Sequence, residues 1–334
     1  MKAIYISSMG HFHPENKIGN DFFDSLEIGS DAKWVEERTG IKSRRSVLSA
    51  EDLKNLRYER TTLESLRAQK AYESIAEMSE KAWLSLQEKN PKNIPQPEAL
   101  ICGTSIPDYN IPANGCTIAS QLDWSCPAFD VNSACSSFVV NLHVARSLIS
   151  SEQYKSIGIF NPERYSLAIN YQDKGSAVLF GDGCACAVIS EEKASGSLMV
   201  LDTLIESDPA NHQKVKIPAG GYFSQQGSAV QKFAITKTIQ ATKKILERNG
   251  VAPQDLAYFA GHQANLRMVE SAAKKLGIPP ERHLYNVHQY GNQGAAGAPS
   301  VISMNWDRFS QGELIAISVV GSGLTWGACL LQVV

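Results

Sequence analysis

A cysteine within a run of small residues is the first candidate for chemistry in this chain. Cys135 follows an apolar run that ends at Val131, and a helical pattern begins at about Ser136. This order places Cys135 at a strand-to-helix turn, where the helix amides point toward its thiol. Because the positive end of a helix stabilises a thiolate, we expect a lowered pKa and a nucleophilic Cys135. A buried, unreactive cysteine is the alternative.

Two further polar residues lie at similar turns. His262 follows an apolar run and precedes a helical pattern, and Asn292 lies between Gly291 and Gly294. Taken singly, the histidine is more often structural and the asparagine a turn former. In α/β sheets, however, ligands bind beyond the carboxyl ends of the strands. Together, a thiolate and two neutral hydrogen-bond donors suit covalent acyl transfer, in which the donors stabilise an enolate or oxyanion.

The elements that must position these residues alternate between short apolar runs and longer helical patterns, which predicts an α/β fold. The predicted strands are Lys2–Ser7, Ala99–Thr104, Ala128–Val131, Ser156–Phe160, Cys184–Ser190, Leu198–Glu206, Leu256–Ala260 and Leu314–Val320. The predicted helices are Thr61 to about Glu88 (ending before Asn90-Pro91), Ser136–Ile149, Ala229–Arg248, Ala264–Leu276 and Ala295–Phe309.

A short internal similarity indicates duplication. FGDGCACAVIS at 180–190 and GSGLTWGACLLQVV at 321–334 are each a glycine-rich turn followed by an apolar strand. We therefore predict one duplicated fold with an N-terminal half at 1–190 and a C-terminal half at 191–334. The first half would carry the nucleophilic cysteine, and the second would carry the histidine and the asparagine.

Composition excludes several classes of protein. The 334 residues hold 32 Lys+Arg and 34 Asp+Glu, a net charge of −2, which argues against a nucleic-acid binder. Apolar stretches are too short for a membrane span. Seven cysteines, an odd number spread along the chain, do not form a disulfide framework, so we expect a reducing, cytoplasmic location. No histidine cluster accompanies Cys184 and Cys186, so no metal site is expected.

Seven segments, in chain order over almost the whole sequence, resemble β-ketoacyl-acyl carrier protein synthase III, an initiating condensing enzyme of the thiolase-like superfamily. They are SDAKWVEERTGIKSRR (30–45), CPAFDVNSACSSF (126–138), FGDGCACAV (180–188), GHQANLRM (261–268), AAKKLGI (272–278), YGNQGAA (290–296) and GLTWGA (323–328). The resemblance implies a thiolase-like duplicated fold of five αβαβα layers with two mixed sheets, usually a homodimer. It also implies no permanently bound cofactor, with coenzyme A or phosphopantetheine thioesters as substrates.

The resemblance assigns roles to the residues singled out above. Cys135 would be the acylated nucleophile, and His262 and Asn292 would assist decarboxylation of a malonyl thioester. The backbone N–H groups of Cys135 and Ser322 would form the oxyanion hole, with Asn265 in support. The product would be a β-ketoacyl thioester of fatty acid or specialised polyketide-type metabolism.

Further positions match the binding surfaces of the family. Trp34 corresponds to a tryptophan that stacks on the adenine of coenzyme A, and Gly227 and Ser228 correspond to pantetheine contacts. The basic residues that match a docking surface for an acidic acyl carrier protein are Lys232, Arg267, Lys274 and Lys275. A solvated helix face is the alternative explanation of these charges.

Several residues depart from the common pattern of the family. Gly261 replaces a proline, Gln293-Gly294 replaces Thr-Ser, and Ser322 interrupts a triple glycine. Ile111 replaces an aromatic residue that often closes the acyl pocket across the dimer interface. The arginine that forms the family's second adenine-stacking position has no clear match, although Arg164 lies near it in the sequence. These changes favour a specialised ketosynthase that accepts a longer or branched acyl chain.

Other functions stay open on the sequence alone. The same three residues could support condensation without decarboxylation, or acyl transfer to an alcohol or amine. Cysteine, histidine and asparagine in this chain order also occur in cysteine hydrolases. A non-catalytic scaffold subunit is the remaining alternative.

Overall fold

A computed structural model describes residues 2–56, 65–66, 68–89 and 94–334 of the protein. The strands in these ranges are β1 (Tyr5–Phe12), β2 (Asn16–Gly19), β3 (Ser43–Ser46), β4 (Ala99–Cys102), β5 (Ala128–Asp130), β6 (Ser156–Glu163), β7 (Gly183–Ser190), β8 (Leu198–Ser207), β9 (Val215–Lys216), β10 (Ser224–Gln225), β11 (Leu256–Gly261), β12 (His283–Leu284), β13 (Leu314–Gly321) and β14 (Thr325–Val333). The α-helices are α1 (Asp21–Asp24), α2 (Ala32–Thr39), α3 (Ala50–Leu56), α4 (Ile75–Lys89), α5 (Asn114–Gln121), α6 (Ser137–Ser150), α7 (Lys174–Ala177), α8 (Gly227–Arg248), α9 (Leu266–Leu276), α10 (Val287–Tyr290) and α11 (Gly297–Met304).

Ten of the described strands form a mixed sheet made of two five-stranded halves with equivalent strand order. Outward from the centre, one half runs β1, β7, β6, β4, β5, and the other runs β8, β14, β13, β11, β12. In each half the inner three strands are antiparallel and the outer three are parallel. Because β1 and β8 pair at two positions, the two mixed sheets predicted above are joined as one continuous sheet. The equivalent order of strands in the two halves fits duplication. The boundary between the halves at residue 190 stays a prediction.

Helices cover both faces of each half, which explains the continuous apolar runs in the sequence. All eight residues of β7 are buried, as expected of a strand covered on both faces. Helices α4 and α5 pack on the first half, and α8 and α9 pack on the second. Between the halves, Phe138 and Leu142 of α6 share a hydrophobic cluster with Val301 of α11 and Ile317 of β13. The resulting order is helix, sheet, helix, sheet, helix, which is the thiolase-like arrangement.

The predicted helix from Thr61 to about Glu88 is wrong in its extent. Residues 61–64 and 67 lie outside the described ranges, as do Asn90 and Pro91, but Gln69 and Lys70 form a turn and α4 begins only at Ile75. Ser74 caps this helix: its Oγ accepts from Glu77 N at 3.1 Å, and the Glu77 carboxylate accepts from Ser74 N at 2.7 Å. This reciprocal capping box fixes the start of the helix.

The remaining predicted helices lie close to their expected positions. The region Ala295–Phe309 is not one helix, since single 3-10 turns at Gly294–Ala296 and Trp306–Arg308 flank α11. The short polar strands β2 and β3 pair with each other and carry no apolar alternation by which the sequence could have revealed them. None of the helices in the described ranges is long and apolar enough to cross a membrane.

We predict that Gly10→Ala destabilises the protein strongly, because β1 lies directly against α4. A Cβ at position 10 would collide with the carbonyl oxygen of Ala82 and lie 2.6 Å from the Cβ of Leu86. Overpacking of this kind costs about 3 kcal/mol of unfolding free energy, to be measured by urea denaturation. Gly227→Ala is the control, because a Cβ there meets no atom within 4 Å. Equal stability of the two variants would contradict the described packing.

Candidate active site

Cys135 lies in a tight turn between β5 and α6. The turn is a single 3-10 segment, Ala134–Ser136, and Ala134 has a φ of 47°, in the left-handed region that non-glycine residues rarely adopt. The side-chain oxygen of Asn132 accepts from Ala134 N at 2.8 Å, and Ser137 Oγ donates to Ala134 O at 2.7 Å. These bonds hold the strained backbone, as is common at functional sites.

The pKa of Cys135 differs from the sequence prediction. Burial raises it to about 12, and the charge of Glu163 adds to the rise. Cys135 Sγ also lies 3.5 Å from Tyr165 Oη. The predicted lowering of this pKa is therefore wrong, because loss of thiolate hydration outweighs the stabilisation available at the turn. A neighbouring group must accept the proton when the sulfur reacts.

His262 directly follows β11, as the sequence predicted. Burial lowers the pKa of His262 to about 4, so the imidazole is neutral at neutral pH. Its Nδ1 is buried and makes no hydrogen bond within the described residues. A neutral imidazole carries one ring nitrogen that donates a hydrogen bond and one that accepts.

Asn292 is buried and held by the N-terminal half of the chain. Its N–H donates to Leu179 O at 2.9 Å, and its carbonyl accepts from Gly181 N at 3.1 Å. Its side-chain oxygen accepts from Gly294 N at 3.0 Å, which leaves the amide Nδ2 as the donor for a ligand. Asn292 follows the short helix α10, not a strand as predicted.

A cavity of about 680 Å³ joins residues that lie far apart in the sequence. Eight of the predicted site residues line it: Trp34, Cys135, Gly227, Ser228, His262, Asn265, Asn292 and Ser322. The volume is in the usual range for a small-molecule site. Asn265 also caps α9, because its side-chain oxygen accepts from Met268 N at 3.0 Å.

The end of β13 lies against the turn that carries Cys135. A Cβ at Gly321 would be 2.7 Å from Ser133 O and 2.8 Å from Ser136 N, so only glycine permits this approach. The next residue, Ser322, begins a new turn, and its Oγ donates to Val215 O at 2.5 Å. The backbone of Ser322 is thereby fixed within the same cavity as Cys135.

Charged residues that the sequence did not single out lie near Trp34. Lys174 Nζ is 5.4 Å from the centroid of the Trp34 ring, and Lys174 and Arg38 both line the cavity. Arg164, considered above for adenine stacking, does not reach this cavity. Its side chain is fully buried and pairs with Asp108 at 2.6 Å in a separate cavity.

Aromatic residues close to Cys135 were also missed by the sequence reading. Tyr165 stacks on Phe180 with ring centroids 4.5 Å apart, and Phe180 contacts Phe223 at 4.6 Å. Phe180 and Phe223 line the cavity and give it an apolar wall. The sequence gives no local signal for this cluster, because Tyr165, Phe180 and Phe223 lie in separate segments that only the fold brings together.

The remaining predicted residues lie on the surface of the chain. Lys232 on α8 is exposed, and so are Arg267, Lys274 and Lys275 on α9. Arg267 also pairs with Glu270 at 3.5 Å, which offsets part of its charge. Ile111 is 85% exposed and does not line the cavity, so within one chain it is not part of an acyl pocket.

Comparison with known proteins identifies the class to which this fold and site belong. Residues 129–209 match the family model for 3-oxoacyl-[acyl-carrier-protein] synthase III, and residues 246–333 match the model for its C-terminal part. A crystal structure of 3-oxoacyl-[acyl-carrier-protein] synthase III from Aquifex aeolicus has a TM-score of 0.85 at 27% identity, over 99% of both chains. The fold is that of a thiolase-like condensing enzyme.

Curated relatives give the family. β-Ketoacyl-[acyl-carrier-protein] synthase III of Aquifex aeolicus is 30% identical over 98% of both chains. The protein of the same name from Campylobacter fetus subsp. fetus is 30% identical over 99% of both chains. The chain belongs to the β-ketoacyl-acyl carrier protein synthase III family of acyltransferases.

We predict that His262→Asn makes stability less sensitive to acid. The unfolded chain binds a proton at an ordinary histidine pKa of 6.5, whereas folded His262 does so only near pH 4. Between these values the unfolded state holds more protons, so the free energy of unfolding falls as pH drops through this window. Removing His262 should reduce the loss between pH 7.5 and 4.5 by about 2 to 3 kcal/mol in urea titrations.

The exposed His212 provides the control for this measurement. His212→Asn should leave the pH dependence of stability as in the wild type. If His262→Asn and wild type lose the same free energy between the two pH values, the described burial of His262 is incorrect.

Proposed function

We propose that this enzyme transfers an acyl group from a coenzyme A or acyl-carrier-protein thioester to Cys135. It then condenses that acyl group with a malonyl thioester and releases carbon dioxide and a β-ketoacyl thioester. The observation that carries this proposal is the shared cavity of Cys135, His262 and Asn292. No permanently bound cofactor is needed, because the thioesters carry the reactive groups.

Acylation begins with attack of the Cys135 sulfur on the thioester carbonyl carbon. The carbonyl oxygen gains negative charge, which the backbone N–H groups of Cys135 and Ser322 stabilise. Support for this assignment comes from Gly321, whose lack of a side chain lets the Ser322 turn approach Cys135. The loss of one such donor lowers the rate by about 100- to 1000-fold. The thiol of coenzyme A or phosphopantetheine then leaves.

Decarboxylation uses the two neutral donors. His262 and the Nδ2 group of Asn292 donate hydrogen bonds to the thioester carbonyl of the malonyl group. Loss of carbon dioxide leaves an enolate whose oxygen these donors stabilise. The enolate carbon attacks the acyl carbonyl carbon on Cys135, the sulfur–carbon bond breaks, and Cys135 leaves as a thiolate. The lowered pKa of His262 suits this role, since the imidazole needs no proton from solution to act as a donor. Asn265 supports the site by capping α9.

The surroundings of the cavity suit a pantetheine thioester. Trp34 offers a ring for the adenine of coenzyme A, and the amine of Lys174 lies beside it, where a phosphate group would be attracted. Gly227 and Ser228 begin α8 and line the path inward, where they would contact the pantetheine arm.

A second copy of the chain and an acyl carrier protein are the proposed partners. Ile111 and Tyr109 are 85% and 58% exposed, which is unusual for large apolar side chains and favours burial in a homodimer. In that dimer Ile111 would close the acyl pocket of the other copy and leave room for a chain longer than acetyl. All seven cysteines are free, which favours the reducing cytoplasm.

We expect incubation with acyl-coenzyme A thioesters to add one acyl group to the wild type and none to Cys135→Ser. Intact-mass measurement on acetyl, hexanoyl and octanoyl thioesters identifies the group that is transferred. Cys116→Ser, which changes an exposed cysteine on α5, is the control and should be acylated normally. Acylation of Cys135→Ser would contradict the proposed nucleophile, and a strong preference for acetyl would contradict the enlarged pocket.

Charge reversal on α9 tests the carrier-protein surface. Lys274→Glu combined with Lys275→Glu should raise KM for a malonyl-carrier protein about tenfold, because the partner is acidic and these side chains are exposed. The effect should shrink in 0.5 M salt and be absent with malonyl-coenzyme A. Lys193→Glu, in the loop between β7 and β8, is the control. An equal rise in KM for both malonyl donors would contradict docking at this surface.

A further inference from the structure

A chain of hydrogen bonds runs from the reactive sulfur into the core of the N-terminal half. Tyr165 Oη lies 3.5 Å from Cys135 Sγ and donates to Ser105 Oγ at 3.0 Å. Ser105 Oγ in turn donates to a carboxylate oxygen of Glu163 at 3.1 Å. With Tyr165 donating to Ser105, the phenolic oxygen is free to accept from the thiol. The donors therefore all point the same way, from sulfur to carboxylate.

Glu163 is a fully buried carboxylate without a cationic partner in the described part of the chain. Its oxygens accept from Ser105 N at 2.9 Å and Ala295 N at 3.2 Å, besides the Ser105 hydroxyl. The neighbouring Arg164 is turned away and pairs with Asp108. Burial raises the pKa of Glu163 to about 7, so this carboxylate changes its protonation in the neutral range.

The other titratable groups that face Glu163 all lie in the core. Asp182, which precedes β7, adds to the rise in the pKa of Glu163. The thiols of Cys102 on β4 and Cys184 on β7 are buried, and burial raises the pKa of both. Burial also raises the pKa of Tyr165 well above its usual value, so its hydroxyl passes a proton on without becoming a stable phenolate.

We propose that Tyr165 and Ser105 relay the proton of Cys135 to Glu163 when the sulfur attacks an electrophile. The S–H bond breaks as the phenolic oxygen gains the thiol proton. The phenol passes its own proton to Ser105, and Ser105 passes its proton to the carboxylate. The products are a sulfur–carbon bond and a neutral Glu163 carboxyl group. For a thioester substrate this inference rests on the proposed function, and Glu163 is then restored when its proton returns along the relay to the departing thiolate.

The alternative proton acceptor is His262, and the two groups differ in basicity. The pKa of His262 is lowered by burial to about 4, whereas that of Glu163 is about 7. A base is most effective when its pKa lies near the working pH. With Glu163 as the proton acceptor, His262 stays neutral and can donate a hydrogen bond to the malonyl group.

Gly294 explains how the relay is kept in place. It has a φ of 53°, and a Cβ there would lie 2.5 Å from a ring carbon of Tyr165 and 2.8 Å from a carboxylate oxygen of Glu163. The absence of a side chain lets the Asn292 loop close over both residues. This gives a structural reason for the glycine that departs from the family pattern.

The test measures alkylation of Cys135 by iodoacetamide, which needs a free sulfur but no thioester. Peptide mass spectrometry follows Cys135 separately from the other cysteines between pH 6 and 9. In the wild type, the rate should fall as the pH drops through about 7, because protonated Glu163 accepts no proton. In Glu163→Gln the rate should be at least about 100-fold lower at pH 8 and rise tenfold per pH unit with hydroxide.

Electrostatics alone predicts the opposite sign for Glu163→Gln. The charge of Glu163 raises the pKa of Cys135, so its removal without a relay should make the thiolate easier to form and alkylation faster. A rate equal to or above the wild type, with the inflection near pH 7 retained, would overturn the proposal.

Tyr165→Phe breaks the relay while leaving Glu163 unchanged, and it decides the question if Glu163→Gln does not fold. It should lower the rate to a similar extent and remove the inflection. The double variant should then show no further loss, because both changes interrupt one path. Tyr171→Phe is the control, since Tyr171 is a buried tyrosine of the same core cluster outside the relay. A wild-type rate and pH profile in Tyr165→Phe would overturn the proposal.

The outcome separates this inference from the proposed function. If alkylation depends on Glu163 and Tyr165 as expected but no thioester acylates the protein, the relay is supported and the proposed condensing reaction is contradicted. If a thioester acylates Cys135 but alkylation is unchanged in Tyr165→Phe, the proposed function is supported and the relay is contradicted.

Discussion

The close approach between the end of β13 and the turn that carries Cys135 is the constraint on which the site depends. At Gly321 the second half of the chain comes within van der Waals distance of the backbone at Ser133 and Ser136. A parallel contact joins Asn292 to Leu179 and Gly181 of the first half. Because Cys135 belongs to one half and His262 and Asn292 belong to the other, these two contacts bring the proposed nucleophile and the proposed donors to one cavity.

The same close packing determines the protonation of the site. Exclusion of water raises the pKa of Cys135 and lowers that of His262, so both groups are neutral at rest. A neutral histidine is what the stabilisation of an enolate needs, but a neutral thiol is a poor nucleophile. The buried carboxylate of Glu163, joined to the sulfur through Tyr165 and Ser105, offers a place for the thiol proton. Burial therefore keeps the Cys135 thiol protonated and also raises the pKa of Glu163, the base of the proposed relay, to about 7.

Several features of the fold could be predicted because they depend on local patterns. The strands β6, β7, β8 and β13 are apolar runs, and α6 and α8 follow the helical period closely. The start of α4 was missed although its signal, a serine followed three residues later by glutamate, was present at Ser74 and Glu77. The helical period of the preceding segment obscured it. Short strands such as β2 and β12 left no apolar signal, since long-range pairing alone defines them.

The sequence by itself determined the fold class and indicated Cys135, His262 and Asn292 as candidate site residues, because strand-to-helix turns and motif residues are local properties of the chain. The tertiary structure decided which residues surround them. Only the fold brings Lys174 beside Trp34 and places the rings of Phe180 and Phe223 on the cavity wall. It also forms the path of hydrogen bonds from Cys135 to Glu163. The tertiary structure also reversed the direction of the pKa shift expected for Cys135. The sequence reveals the helix end near the thiol, whereas the loss of thiol hydration depends on packing from both halves of the chain. Ile111 faces solvent within the chain, so the fold of one chain gives it no part in the cavity.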